Sequence, residues 1–491
     1  LWNASGSALP ALAALASVPL LISTLGVEGY GIVTIVSSVI GYFAVLDINL
    51  SAGAIKYLAE SHEENDHIRF SETFWFGALF YGLLGFIGSV AIFFGSPAIV
   101  RELFDMSATV RDNTILALRV GAIGFGMAQV QSYLIVVPQA LQRYDRSAQS
   151  EAFFGVLVNI ISVLAALAGA GVVGVIAVRV LVSAVNVAYL CYLIRGMELS
   201  LSFRFPRKDV RIALTSFSAY AYLSKLASTL HQHGDKLIIG ALAGPSALTF
   251  YTVPVTLSSR ILGLTYRLSS VIYPRASALA ASARMNELRQ IYLSAMRYIT
   301  YINLVALGMI VLAGEEFLRR WVGDAFVTKG YPILVLMTVA LLVDSLTNIP
   351  SLVNDALGHP NISGRFALLR GIIGVGLVYI GTLTYGIVGA AISHLIGACI
   401  LSACFLIYVH GRTVPIRLID AMKDGAGRSL IVGLFVFGLL FPIKWWLPTG
   451  LYQTALIMIL GLITLTIAGF VFIVSVNERA EFFAFTRRLR S

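Results

Sequence analysis

Residues 226–279 read LASTLHQHGDKLIIGALAGPSALTFYTVPVTLSSRILGLTYRLSSVIYPRASAL, and this stretch decides the fold. Apolar residues dominate it in two blocks, each long enough for the roughly 20 residues with which a helix crosses a bilayer. Asp235, Lys236, Arg260 and Arg267 nevertheless lie inside those blocks. A charge at mid-bilayer costs at least ~2.5 kcal/mol on an insertion scale, so such residues face a bundle interior or a wet cavity. The stretch therefore predicts a pair of spanning helices beside a polar cavity.

The composition outside it agrees. The chain has 491 residues, 58% of them hydrophobic and only 12% charged. A soluble domain carries about 25% charged residues. Half that share over the whole length predicts an all-α, multi-pass membrane protein rather than a soluble domain with an anchor. The first residue is Leu1 rather than methionine, which implies residues upstream of it. Residues 3–24 read as a first spanning helix interrupted by Pro10 and Pro19, not as a cleavable signal. Cys191, Cys399 and Cys404 sit in apolar runs without a CxxC pair, so buried small hydrophobes are expected rather than a disulfide or metal framework.

Hydropathy gives about fourteen spanning segments, the first near residues 3–25 and the last near 452–475. The connectors between them alternate in charge, about 22 basic residues in one set against about six in the other. The basic set marks the cytoplasm, places both termini inside and agrees with an even number of crossings. The net charge of +10 is then a topology signal, and nucleic acid is not an expected partner. No connector is long enough for an extramembrane domain. ELRQIYLSAMRYI (287–299) and ERAEFFAFTRRLR (478–490) set bulky apolar residues against arginines, as interfacial or solvated juxtamembrane helices do.

The chain also repeats itself. GVVGVIAVRVLVSAVNVAYLCYLI (171–194) matches GIVGAAISHLIGACILSACFLIYV (386–409), and Ala140-Leu141 matches Ala356-Leu357. Leu25-Gly26 leading to Tyr30 resembles Leu242-x-Gly244 leading to Tyr251. The first six segments thus read as a copy of the next six. Two copies of an even number of helices insert with one orientation, about an axis along the membrane normal, with a site expected between them. The resulting division is 1–200, 201–410 and 411–491.

The charges inside predicted spans are Asp47, Arg119, Arg179, Lys225, Asp235, Lys236, Arg260, Arg267, Asp344 and Arg370, with His231, His233 and His394. Cations outnumber anions, and a structural set would pair off because a lone buried charge is costly. A cavity that receives an anion explains the surplus, and arginine suits phosphate because its planar fork donates two parallel hydrogen bonds. Arg260 and Arg267 are two turns apart on one face, about 10 Å along the axis. Lys225, Ser228, Thr229, Gln232 and Lys236 form a polar stripe at helical spacing. Candidate substrate-binding residues are therefore Arg260, Arg267, Lys225, Lys236, Arg119 and Arg179. Ion pairing competes with this reading for the first four, and snorkelling to the headgroups for Lys236, Arg119 and Arg179. Pro254 is expected to kink its helix. Asp47, Asp235 and Asp344 are candidates for carrying a coupling proton or Na⁺, against the alternative that each partners a nearby cation. His231 and His233 lie about 200° apart around a helix, so no metal site is expected, and His394 reads as a core histidine. No phosphate-cradling GxxxxGK[ST], GxSxG or HExxH occurs, so neither a nucleotide-driven pump nor a hydrolase or cofactor enzyme is indicated.

The run LGVEGYGIVTIVSSVIGYFAVLDINLSAGAIKYLAE (25–60) resembles the opening of bacterial polysaccharide-transport flippases. These are the O-antigen-type, lipid-linked oligosaccharide exporters of the multidrug/oligosaccharidyl-lipid/polysaccharide superfamily. Asp235-Lys236, Gly240, Tyr251 and Pro274 match a second motif of that family, and Tyr385, Gly386 and Gly389 a third. The sequence departs from the pattern at Asn49, where glycine is usual. The resemblance implies two six-helix lobes in a V around a central cavity, plus two extra C-terminal helices. It implies alternating access for a polyprenyl-diphosphate-linked glycan in a bacterial plasma (inner) membrane, among membrane lipids and other polysaccharide assembly proteins. Gly26 and Gly31 are expected at a tight turn and a close helix contact. A drug or cation exporter of the same superfamily, an integral-membrane glycosyltransferase or polymerase, and an assembly scaffold are the competing readings. The cationic surplus counts against the exporter, and the lack of a large outer loop or acidic catalytic motif against the enzyme.

Overall fold

In hydrocarbon every peptide group must find its hydrogen bond inside its own segment, and the chain meets that demand with helices. The computed structural model describes residues 2–197, 199, 201–442, 450–474 and 479; in helices it leaves undescribed the side chains of 2–8, 52, 209, 213, 215–221, 223, 224, 261, 264, 267, 268, 270 and 451. Among the described residues there is no strand. The main elements are α1 (Trp2–Phe43), α2 (Leu50–Glu63), α3 (His67–Leu103), α4 (Ala108–Leu134), α5 (Val136–Ala140), α6 (Tyr144–Leu167), α7 (Gly171–Arg195) and α8 (Lys208–Ser270). They continue with α9 (Ile272–Ala281), α10 (Met285–Val322), α11 (Ala325–Ser345), α12 (Asn348–Ala356), α13 (Pro360–Arg412), α14 (Leu418–Asp420), α15 (Arg428–Leu440) and α16 (Leu451–Ala468). Ten helices among the described residues are long and apolar enough to cross a membrane, so this is an all-helical, multi-pass membrane protein. Its surface agrees: Phe94 is 74% exposed, Ile431 73% and Phe86 68%, an apolar exterior that only lipid tolerates on this scale.

Three of the longest helices are each two helices meeting at a break. The breaks fall at Gly26 in α1 (φ 75°, ψ 169°), Gly244 in α8 (φ 81°, ψ 173°) and Tyr385–Gly386 in α13. The conformation of Gly26 and Gly244 is open essentially to glycine alone. One turn after the first break, a Cβ on Gly31 would overlap the Pro245 backbone, so Gly31 lets two helices touch. Pro245 directly follows the break at Gly244 and favours extended backbone in the residue before it. The helices run on through Pro10, Pro19 and Pro254, contrary to the interruption expected at the first two. A transmembrane helix tolerates proline when neighbours re-satisfy the freed carbonyl.

The internal repeat reappears as matched turns. Positive φ occurs at Gly26 and Gly244, Asn65 and Ala283, Gln142 and Gly358, and Gly171 and Gly386, each pair about 215–218 residues apart. Backbone reversals thus recur in register even where the residue types differ.

The chain forms two compact units, Leu1–Thr252 with Ala367–Ala390, and Val253–Phe366 with Ala391–Ser491. In the first, α1 packs on α6, α3 on α4, and α7 on both α4 and α6. Its core gathers Leu50, Leu58, Phe74, Tyr81, Tyr133 and Leu190. In the second, α10 is the hub for α11, α15 and α16, over a core with Leu288, Tyr292, Met296, Val353 and Val409. Residues 287–299 are therefore the first turns of a spanning helix, their apolar side spent on protein core rather than on the membrane interface. The segment 478–490 lies, but for Arg479, outside the described residues. Cys191, Cys399 and Cys404 are free and exposed, which corrects the expectation of burial. Apolar runs in a membrane helix supply the lipid-facing side as well as the core.

Candidate functional site

Asp47 sits where the first helix stops. After α1 the chain makes one 3-10 turn, Ala44–Leu46, goes extended at Asp47, and turns left-handed at Asn49 (φ 59°, ψ 41°) before α2 begins. Asparagine is among the few residues other than glycine that take this conformation readily, which accounts for the departure from the family pattern. Asp47 Oδ1 accepts the Asn49 N–H at 2.8 Å and the Tyr81 hydroxyl at 2.8 Å. The Ser51 N–H donates to the Tyr81 oxygen at 3.1 Å, and the Ser51 hydroxyl donates to Asn49 Oδ1 at 3.1 Å. Asp47 Oδ2 lies 3.9 Å from Lys225 Nζ. Asp47 is 4% exposed whereas the Lys225 side chain is 37% exposed, so the pair joins a buried acid to an accessible cation. Tyr81 stacks on Tyr133 at 5.4 Å, and the Tyr133 hydroxyl donates to the Phe74 carbonyl at 2.8 Å.

A second acid uses the same chemistry in the same unit. Asp235, 6% exposed, accepts the Tyr251 hydroxyl on Oδ2 at 3.2 Å. Its Oδ1 takes the Lys236 N–H at 2.8 Å and lies 3.6 Å from Lys236 Nζ. Lys236 Nζ also donates to the Gln232 carbonyl, and Gln232 Nε2 donates to Ser228 Oγ at 2.9 Å. Ser228, Gln232 and Lys236 of the polar stripe are thus joined in a hydrogen-bonded ladder. His233 lies against Gly41 and diverges from the exposed His231. Among the described residues no cluster of metal-binding side chains occurs.

The arginines behave differently. Arg119 on α4 rests its guanidinium 5.3 Å from the centre of the Phe93 ring, and its buried Nε has no hydrogen-bond partner among the described residues. Arg179 on α7 donates from Nε to the Ser162 hydroxyl at 3.1 Å. Neither makes an ion pair among the described residues. The α4 and α7 helices that carry them pack together in the first unit. In the second unit Arg260 is exposed on α8, again without an ion pair among the described residues. The side chain of Arg267 lies outside the described residues. Asp344, at the end of α11, accepts the Ser402 hydroxyl at 3.2 Å.

Two of the six candidate cations are therefore neutralised by two of the three candidate acids, Lys225 by Asp47 and Lys236 by Asp235. The surplus positive charge stays on arginine. The sequence does not mark Tyr81, and it places Tyr251 in a repeat and a motif without showing that the two hydroxyls hold the two carboxylates. Nothing local marks a tyrosine 34 positions away as the partner of Asp47. Sequence reasoning also passed over Glu72, buried in α3 and paired with Arg207 at 3.0 Å.

The chain is similar to known proteins along most of its length. The profile of a family described as polysaccharide biosynthesis protein matches residues 21–328. A Shigella flexneri protein described as an O-antigen transporter is 23% identical over 427 residues, covering 84% of this chain and 96% of that protein. The lipid II flippase MurJ in an inward closed conformation superposes with a TM-score of 0.73 at 12% identity, over 95% of this chain and 97% of that one. An inward-facing multidrug transporter of the MATE family superposes with a TM-score of 0.72 at 16% identity, over 84% and 96%. At these identities the two superpositions describe a shared fold.

Proposed function

Because the chain belongs to the polysaccharide biosynthesis protein family, we propose that it flips a polyprenyl-diphosphate-linked oligosaccharide from the cytoplasmic to the outer leaflet by alternating access. The relative described as an O-antigen transporter supports a lipid-linked glycan as cargo. One observation carries the choice of an anionic headgroup: Arg119 and Arg179 lie within spanning helices and make no ion pair among the described residues. A site for cationic drugs would be expected to show the reverse, an excess of acid.

In this reading the protein is a transporter without catalytic residues, cofactor or metal. It crosses a bacterial inner membrane fourteen times with both termini in the cytoplasm. Residues 1–200 and 201–410 form two six-helix lobes in a V around a central cavity, and 411–491 add two helices and a tail. Arg119, Arg179, Arg260 and Arg267 take the diphosphate, while the lipid tail stays in the bilayer. Lys225 and Lys236 join them when Asp47 and Asp235 release them, so cation uptake by those carboxylates couples to headgroup binding. Asp344 is the third coupling candidate. Other polysaccharide assembly proteins supply and collect the glycan.

The test is reconstitution into vesicles with a fluorescent polyprenyl-diphosphate sugar, reading its accessibility to a quencher outside. The wild-type chain should move the label across. Each lost charge-assisted hydrogen bond is worth ~1.5–3 kcal/mol, so Arg119→Gln and Arg179→Gln should each weaken headgroup binding about tenfold or more. No translocation by the wild-type chain, or equal translocation by an Arg260→Ala/Arg267→Ala double variant and by both glutamine variants, would remove the site. Transport of a lipophilic cation in place of the glycan lipid would favour the exporter reading.

A further inference from the structure

A pocket of about 770 Å³ opens in the first unit where α2, α6 and α7 end, with His62, Arg143, Arg146 and Arg195 among its lining and Tyr192 and Met197 beside them. Its charges do not balance. Arg143 and Arg146 share one carboxylate, Asp145, at 3.5 and 3.6 Å. Arg195 makes no ion pair among the described residues. Three guanidiniums thus face a single acid.

The fold itself does not require this opening, as the internal repeat shows. The turn at Gln142 that delivers Arg143 corresponds to the turn at Gly358 that delivers His359. The end of α7 at Arg195 corresponds to the end of α13 near His410. In the second repeat side-chain hydrogen bonds tie this region together. Asn354 Nδ2 donates to the His359 carbonyl at 2.8 Å, and the Thr413 hydroxyl donates to Asn354 Oδ1 at 2.8 Å. His410 Nδ1–H donates to the Ile416 carbonyl at 2.8 Å, and its Nε2 shares a 2.9 Å hydrogen bond with the Tyr292 hydroxyl. The same position is tied by side-chain hydrogen bonds in one copy and lines a cationic pocket in the other.

The chemistry of the walls names the occupant. Arginine forks match phosphate oxygens. Tyr192 is 76% exposed on the flank of a spanning helix, and Leu141, Leu193 and Met197 continue the apolar wall. A pocket lined by both guanidiniums and apolar side chains fits an amphiphile better than a soluble anion, and basic pockets between spanning helices take anionic headgroups. We infer that Arg143, Arg146 and Arg195 form a resident site for the phosphate of an anionic glycerophospholipid. The site stands apart from the arginines proposed to hold the transported headgroup.

The full-length chain is purified in detergent and offered phosphatidylglycerol or phosphatidylcholine, with retained lipid counted by native mass spectrometry. The wild-type chain keeps phosphatidylglycerol in preference. Arg143→Gln/Arg146→Gln/Arg195→Gln loses roughly a hundredfold in affinity, each basic residue being worth about a factor of five at a lipid surface. Arg195→Gln alone removes no salt bridge among the described residues and shows part of the loss. Arg284→Gln/Arg289→Gln, which strips two arginines from the other unit, leaves the preference intact. Equal retention of the two lipids, unchanged retention in the triple variant, the same loss in the Arg284/Arg289 control, or uptake of inorganic diphosphate without a lipid adduct would each overturn the inference.

Discussion

Asn49 shows how much one residue can specify. It holds a left-handed turn that most side chains enter at a cost of roughly 1–2 kcal/mol, and it does so between Asp47 and Ser51, whose groups bond around it. Asn49→Gly should therefore leave thermal stability nearly unchanged, trading one side-chain hydrogen bond for backbone freedom. Asn49→Val should lower stability by about 1–3 kcal/mol, because a β-branched residue there is strained; a melting curve in detergent separates the two. The neighbouring acid makes a second case. Asp47→Asn keeps a group that can accept from Tyr81 but removes the charge opposite Lys225. Lys225→Gln removes the other charge. Since the two residues are in contact, the double variant should be more stable than the sum of the single losses by about 0.5–3 kcal/mol. Strict additivity would mean that the pair carries no coupling. The carboxylate was legible in the sequence as an acid in an apolar run, while its tyrosine partner was not, because hydrogen bonds between helices leave no local pattern.

At the scale of the element, the long helices divide at glycines, in α8 at a glycine that Pro245 follows. Gly26 and Gly244 share one conformation and correspond in the repeat, so Gly26→Ala and Gly244→Ala should each cost about 1–3 kcal/mol and by similar amounts. Pro254→Ala should cost little or stabilise, since the helix already runs through that position. A large loss at Pro254 with none at the glycines would reverse this assignment. The cysteines belong to the same scale. All three are exposed on apolar helices, so in membranes a lipid-soluble maleimide should label Cys191, Cys399 and Cys404, and a membrane-impermeant one should not. Hydropathy showed which segments enter the bilayer. It did not show which side of each helix faces lipid, because in a membrane both the core and the outer face are apolar.

At the scale of the whole molecule, charge is sorted by side-chain type. Lys225 and Lys236 are held by acids, whereas Arg119 rests on a ring and Arg179 on a hydroxyl. If the acids gate the lysines, Asp47→Asn and Asp235→Asn should each uncouple transport from an imposed ion gradient while leaving headgroup binding in place. Transport assayed with and without a gradient reads this directly. Loss of binding in both variants would assign the acids a purely structural task. The repeat was legible from three short matches in sequence, and its strongest mark is conformational, a series of paired turns carried by different residues.

The sequence by itself determined that this chain is a multi-pass helical membrane protein with an internal repeat and with more cations than anions in its apolar segments. Those properties follow from transfer energies and from a period along the chain, both of which are local. Only the tertiary structure decided which charges neutralise one another, where the helices bend, and that one of two corresponding helix ends lines a basic pocket. These depend on groups brought together from distant segments, and the energy of a buried charge is set by its neighbours in space rather than in sequence.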